Sequence, residues 1–211
     1  MLLDKDIREP LFDFLEEQYG KTRILEEKQI GKSRADVVMI TPEALYGIEI
    51  KSDADTYTRL SRQIKDYNNY YDYNYVVVGS SHAMHIEEHV PEWWGIITVD
   101  EVEVKPDFYM VRKPLENPKV ELKKQLSLLW RPELVHMQEL NEMPKYKAES
   151  KLFVIEKILL KIPEDRIKLQ LCEELFQRDY DTIAEIINQY RMENGQKPRR
   201  RKKRRKRKTI C

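Results

Sequence analysis

Apolar residues first recur at helical spacing in "DIREPLFDFLEEQYG", where Ile7, Leu11, Phe14 and Leu15 share a face and Gly20 supplies a C-terminal stop. The period then shortens. "TRILEEKQI", "RADVVMI" and "YGIEIKS" read as three successive strands, joined by a Gly-Lys-Ser turn and by the turn-like "TPEAL". "DTYTRLSRQIKDYNNYYD" returns to helical spacing, with Leu60, Ile64, Tyr67 and Tyr71 on one stripe and Asp55 or Thr56 opening it. "YVVVGS" is a near-continuous apolar strand, of the kind buried on both faces of a sheet. A short helix and the strand "WWGIITV" (residues 93–99) follow. The order predicts a mixed α/β domain over residues 1–110.

Beyond "RKPLENP" the pattern becomes wholly helical. "VELKKQLSLLW", "ESKLFVIEKILLKI", "EDRIKLQLCEELFQ" and "DTIAEIINQYRMEN" read as four amphipathic helices filling residues 111–195. Pro163 separates the second from the third; Thr182 with Glu185 fits a capping box opening the last, and Gly195 closes it. This all-helical extension either packs on the first domain or forms a small bundle of its own. Residues 196–211 have almost nothing apolar to bury, which predicts a disordered basic tail.

Charge divides the chain in the same place. The net charge is +1, yet "KPRRRKKRRKRK" (residues 197–208) holds eleven Lys or Arg and no acid. Without it, 27 basic residues face 37 acidic ones, so the body is about ten units negative. The tail has three readings: contact with a nucleic-acid backbone through Arg199, Arg200, Arg201, Lys202, Lys203, Arg204 and Arg205, a nuclear localisation signal, or a solubilising end. Two cysteines, Cys172 in an apolar helical run and Cys211 at the last position, make neither a disulfide framework nor a zinc set. No apolar run approaches the ~18 residues of a membrane span, and acids in "MLLDKDIREP" interrupt any secretory signal, so a soluble cytoplasmic protein is expected.

The candidate chemistry lies in "YGIEIKS". Tyr46, Ile48 and Ile50 alternate toward one face, which puts Glu49 and Lys51 on the other. A hairpin with an even loop across Pro42 and Glu43 matches residue i with residue 85 − i. Asp36 then lies opposite Glu49, with side chains on one face about 4.5–5.5 Å apart. An odd loop would send Asp36 to the far face. Two carboxylates this close repel unless a cation sits between them, and oxygen-only ligands suit Mg²⁺ or Mn²⁺. A metal there could polarise a phosphodiester oxygen, while the Lys51 ammonium could orient water or offset charge on the phosphorane. One turn apart on the next helix, Gln63 and Tyr67 could bond phosphate or metal-bound water, and Arg59 and Arg62 could pair with phosphates.

Asp36, "EIK" at 49–51 and "QIKDY" at 63–67 together resemble the PD-(D/E)XK nuclease superfamily, in the variant with a Gln-x-x-x-Tyr helix. The core likeness covers about residues 22–80. A wider likeness, to small and largely uncharacterised bacterial and phage members, reaches about residue 180 through "LSLLWRPEL" and "LCEELFQRDY". The resemblance implies a restriction-endonuclease-like mixed sheet flanked by helices and a metal held by Asp36, Glu49 and the main-chain carbonyl of Ile50. It further implies Lys51 as the catalytic lysine, with Gln63 and Tyr67 supporting the site. Ala35 stands where the named pattern has proline. A supporting upstream carboxylate is common in that superfamily; Glu27 is the choice here, with Glu16, Glu17 and Glu26 as rivals.

Other side chains have plainer readings. His82, His85 and His89 match no zinc signature and read as a solvated helix face, Trp93 and Trp94 as core and sheet edge, Cys172 as packing, and Asp53 and Asp55 as helix caps. The leading expectation is a Mg²⁺-dependent nuclease acting on DNA. The alternatives are a non-catalytic nucleic-acid-binding or adaptor protein on the same fold, with protein or self-association through the helical extension, and an RNA-processing nuclease.

Overall fold

The computed structural model describes residues 4–52, 55–103 and 105–178, together with 189, 192, 193 and 195. It has two compact units, Met1–Phe176 and Gln177–Cys211. The first is a mixed α/β unit built on one six-stranded sheet whose strand order follows the chain. Helix α1 (Asp4–Tyr19) ends at Gly20, whose left-handed backbone (φ 71°) and N–H bond to the Glu16 carbonyl (2.9 Å) close the last turn. Strands β1 (Arg23–Ile30), β2 (Ser33–Ile40) and β3 (Leu45–Lys51) run antiparallel in turn. A 3₁₀ turn (Tyr57–Arg59) and helix α2 (Leu60–Tyr70) then cross over to β4 (Tyr73–Gly79), which lies parallel to β3. Helix α3 (Ser80–Ile86) leads to β5 (Gly95–Val102), again parallel, and β6 (Lys105–Arg112) returns antiparallel along the edge.

The apolar pattern fixes which face each element covers. Ile7, Leu11, Phe12 and Leu15 of α1 bury against Val37, Met39, Ile48, Ile50, Tyr75, Val77, Ile97 and Val99. Helix α2 packs on the face carrying Gly47. A β-carbon there would stand 2.1 Å from Tyr71 Cδ2 and 2.7 Å from Tyr67 Cδ1, so only glycine lets these rings lie on the strand. Trp94, fully buried, donates Nε1–H to Asn68 Oδ1 (2.8 Å) and packs 5.5 Å from the Tyr67 ring. Asn117 donates to the main-chain carbonyls of Asn68 and Tyr71, both at 2.7 Å, and ties the segment after β6 to α2.

Helices α4 (Leu122–Leu126), α5 (Arg131–Leu140), α6 (Lys151–Lys161) and α7 (Glu164–Gln177) follow. They are part of the first compact unit as far as Phe176, with α4 seated on α2. No packing break falls at residue 110, since β6 runs through it.

Several expected elements change. β6 is an additional strand, and the strand expected over 93–99 begins at Gly95. "VELKKQLSLLW" forms only a short helix, after which α5 is new. Asp55 does not cap α2: its Oδ2 accepts from Ser52 N–H (2.9 Å) and Oγ–H (2.7 Å), holding the chain just past β3. Asp53, the Thr182–Glu185 capping box and the basic residues 199–205 lie outside the described residues. Gly195 takes the left-handed conformation (φ 69°) expected of a helix stop. Among the described residues no helix is long and apolar enough to cross a membrane.

Candidate functional site

The β2–β3 register decides whether the two acids meet. Val37 pairs with Ile48, Val38 with Gly47, Met39 with Tyr46 and Ile40 with Leu45. Every pair obeys the 85 − i rule, and the next step up the ladder sets Asp36 against Glu49. There the strands part. Ile50 N–H, which would continue the ladder, donates instead to Asp36 Oδ2 at 3.0 Å. N–H and C=O of one residue in an extended strand project to the same side, so the Ile50 carbonyl faces the same gap.

Glu49 is 1% exposed, and its carboxylate is fully engaged. Oε1 accepts from Lys51 Nζ at 2.6 Å and from Gln63 Nε2, and Oε2 accepts from the Tyr67 hydroxyl at 2.7 Å. Gln63 Oε1 in turn accepts from Lys51 Nζ at 3.1 Å. Tyr67 bridges the two strands, because its hydroxyl oxygen also accepts from Asp36 N–H at 3.1 Å. Burial pushes the Tyr67 hydroxyl well above the ordinary tyrosine pKa, and the charges of Glu49 and Asp36 push it further. It therefore acts as a neutral donor. The i, i+4 spacing of Gln63 and Tyr67 sets both on the side of α2 that meets Glu49.

Asp36, Glu49, Ile50, Lys51 and Gln63 line a cavity of about 390 Å³ beyond the C-terminal end of β3, and Tyr67 lies buried behind it. Arg59 and Arg62, both exposed, stand at its rim. Lys32 from the β1–β2 turn, Arg34 from the start of β2 and Arg8 from α1 join them, none of which the sequence singled out. The lining thus holds six cations and four acids, a locally positive cleft on a negative body. Arg8 Nη1 donates to the Asp36 carbonyl at 3.1 Å, and Nη2 lies 3.7 Å from Asp36 Oδ1.

Of the candidate upstream acids, Glu27 lines the cavity and Glu26 lies 4.0 Å from Arg8; Glu16 and Glu17 do not line it. Glu27 takes a left-handed backbone (φ 52°) at the step the β1–β2 ladder skips, between the Glu26–Val37 and Lys28–Ala35 pairs, and its carboxylate lies 3.5 Å from Arg34. A non-glycine residue held there is strained, and such strain concentrates at working sites.

Among the described residues no cluster of three or more His, Cys, Asp or Glu is arranged to hold a metal. A cation here would rest on two carboxylates and a main-chain oxygen, hard donors that suit Mg²⁺ or Mn²⁺. His82 and His89 pack on the Tyr57 ring, with centroids 5.7 and 4.5 Å away, and His85 is exposed beside Glu88.

Residues 2–199 match the family described as Bacteriophage P4 protein cII. The chain belongs to that family. No curated protein matches the chain. No solved structure matches it either.

Proposed function

We propose that this member of the phage P4 cII family is a metal-dependent nuclease of the PD-(D/E)XK type, with a restriction-endonuclease-like core, acting on DNA. The observation that carries the reading is the convergence of Asp36, Glu49 and Lys51 in one cavity, with Lys51 Nζ 2.6 Å from Glu49 Oε1. Asp36, Glu49 and the Ile50 carbonyl would hold Mg²⁺ or Mn²⁺, which when bound supplies a Lewis acid for the scissile phosphate and a more acidic water. Lys51 would orient the attacking water and offset charge on the pentacovalent phosphorus. Gln63 and Tyr67 fix Glu49 and Lys51, and their hydrogen bonds restrict both to one geometry. Arg59 and Arg62 would take flanking phosphates, and the basic run that includes residues 199–205 would hold the polyanion near a body that repels it.

One observation favours a second reading. Glu49 already accepts from Lys51, Gln63 and Tyr67, as a carboxylate with a purely structural duty would. On that reading the protein binds nucleic acid, as a regulator or adaptor, without cutting it.

One experiment separates the two. Full-length protein and Lys51→Ala are incubated with linear, nicked, branched and single-stranded DNA and with RNA, in Mg²⁺, Mn²⁺ or EDTA. The nuclease reading expects metal-dependent cleavage, strongest on DNA, that the lysine variant loses by at least about a hundredfold. Equal cleavage by Lys51→Ala removes that residue from the chemistry. Binding without cleavage by either protein establishes the second reading.

A further inference from the structure

Arg8 enters the site from α1, an element that carries none of the groups the proposed hydrolysis needs. Ile7 and Leu11 beside it are buried under the sheet, so its head is delivered by a packed frame. The side chain is only 15% exposed. Nη1 donates to the Asp36 carbonyl at 3.1 Å and lies 4.0 Å from Glu26 Oε2, while Nη2 lies 3.7 Å from Asp36 Oδ1.

The two oxygens of Asp36 are therefore differently placed. Oδ2 takes the Ile50 N–H where the β2–β3 ladder parts, and Oδ1 turns toward the guanidinium. On the other strand Lys51 Nζ does the same for Glu49. Each acid thus has a cation of its own chain beside it, and the two cations differ in reach. Lys51 is two residues from its acid on one strand, whereas Arg8 comes from a separate element 28 residues away. An arginine so placed either ties α1 to β2 or occupies the charge position of another cation.

We infer that Arg8 is a built-in counterion of Asp36 that competes with a divalent cation for Oδ1 and so sets the metal affinity of the free protein. The inference rests on the nuclease reading of the site. A guanidinium suits the part because it stays charged at any working pH and can be drawn off a carboxylate by a bidentate phosphate.

The test is Mn²⁺ binding to the full chain, read by calorimetry or by the electron paramagnetic resonance of free Mn²⁺, for wild type, Arg8→Met, Arg8→Lys and Asp36→Asn. Methionine keeps the apolar stem and removes the charge. Arg8→Met should bind Mn²⁺ about tenfold more tightly, the low end of what an opposite charge a few ångströms from a carboxylate does to its proton affinity. Arg8→Lys should shift in the same direction but less, and it carries the test if Arg8→Met does not fold. Equal or weaker binding by the Arg8 variants, with Asp36→Asn still losing the site, overturns the counterion role while leaving the nuclease reading intact. A fall in melting temperature alone would then make Arg8 a tie between α1 and β2. If wild type and Asp36→Asn show the same binding, Asp36 holds no metal, and both this inference and the metal site of the nuclease reading fall.

Discussion

At the scale of single residues, Tyr67 joins the most of the site with one atom. Its hydroxyl accepts from Asp36 N–H on β2 and donates to Glu49 Oε2 on β3, and its ring is fully buried. Tyr67→Phe keeps the ring and removes the partner of a half-buried amide and of a buried carboxylate oxygen. The expected cost is about 1–3 kcal/mol of stability, read from urea unfolding, with cleavage falling alongside. Cys172 makes the opposite kind of prediction. It is 1% exposed, and burial pushes its thiol up to about 12, so little thiolate forms at neutral pH. In a Cys211→Ser background, a thiol reagent at pH 8 should leave the native protein unlabelled and modify it in denaturant; rapid native labelling would contradict the packing. Asp72 adds a pH dependence to the stability. Burial raises its carboxyl pKa, so the folded state binds a proton that the unfolded chain releases at about pH 4. Its contribution to stability is therefore greatest below that value and falls as pH rises through the raised folded pKa. Asp72→Asn, which can still accept from Leu45 N–H, should flatten that part of a stability–pH profile; an unchanged profile refutes the assignment.

At the scale of elements, the site depends on how closely α2 lies against β3. Gly47 permits the contact, Tyr67 and Tyr71 fill it, and Trp94 backs Tyr67 from the far side. Gly47→Ala should push α2 outward, cost about 1–3 kcal/mol, and weaken Mn²⁺ binding even though no ligand is altered. A variant of wild-type stability and affinity would show that α2 is not seated as described. The same element explains what the sequence made legible. The hairpin register followed from strict alternation and an even loop, and Gln63 and Tyr67 followed from helical spacing; both are short-range regularities. Arg8 was invisible because a helix-to-strand contact across 28 residues leaves no periodic trace. β6 was missed because an edge strand with Pro106 and an exposed alternate face looks like polar loop. α5 was missed because Pro132 reads as a breaker, although proline in the first turn of a helix is favoured. The strained backbone at Glu27 has no sequence signature, since glycine rather than glutamate announces a positive φ.

At the scale of the whole molecule, the decisive quantity is the separation of charge between body and tail. A body about ten units negative should repel nucleic acid outside the locally basic cleft, whose own field reaches about 8–10 Å at ordinary ionic strength. Eleven basic residues in twelve can offset that repulsion, and each phosphate neutralised releases condensed counterions. Binding by the full chain should therefore weaken steeply with salt. Counterion release gives a log–log slope of about −0.9 per phosphate contacted, so the tail could add up to about ten to its magnitude on duplex DNA. Removing residues 197–211 should flatten the slope toward the few contacts available to Arg59, Arg62, Lys32 and Arg34. Mn²⁺ affinity should not change, because Asp36, Glu49 and Lys51 all belong to the first compact unit. The two readouts discriminate in both directions. An unchanged salt slope would mean the tail is not the anchor, and the cleft would then have to account for all of the affinity. A loss of metal binding on truncation would mean that body and tail are coupled, and the proposed division of labour between a locally basic cleft and a separate electrostatic tether would be wrong.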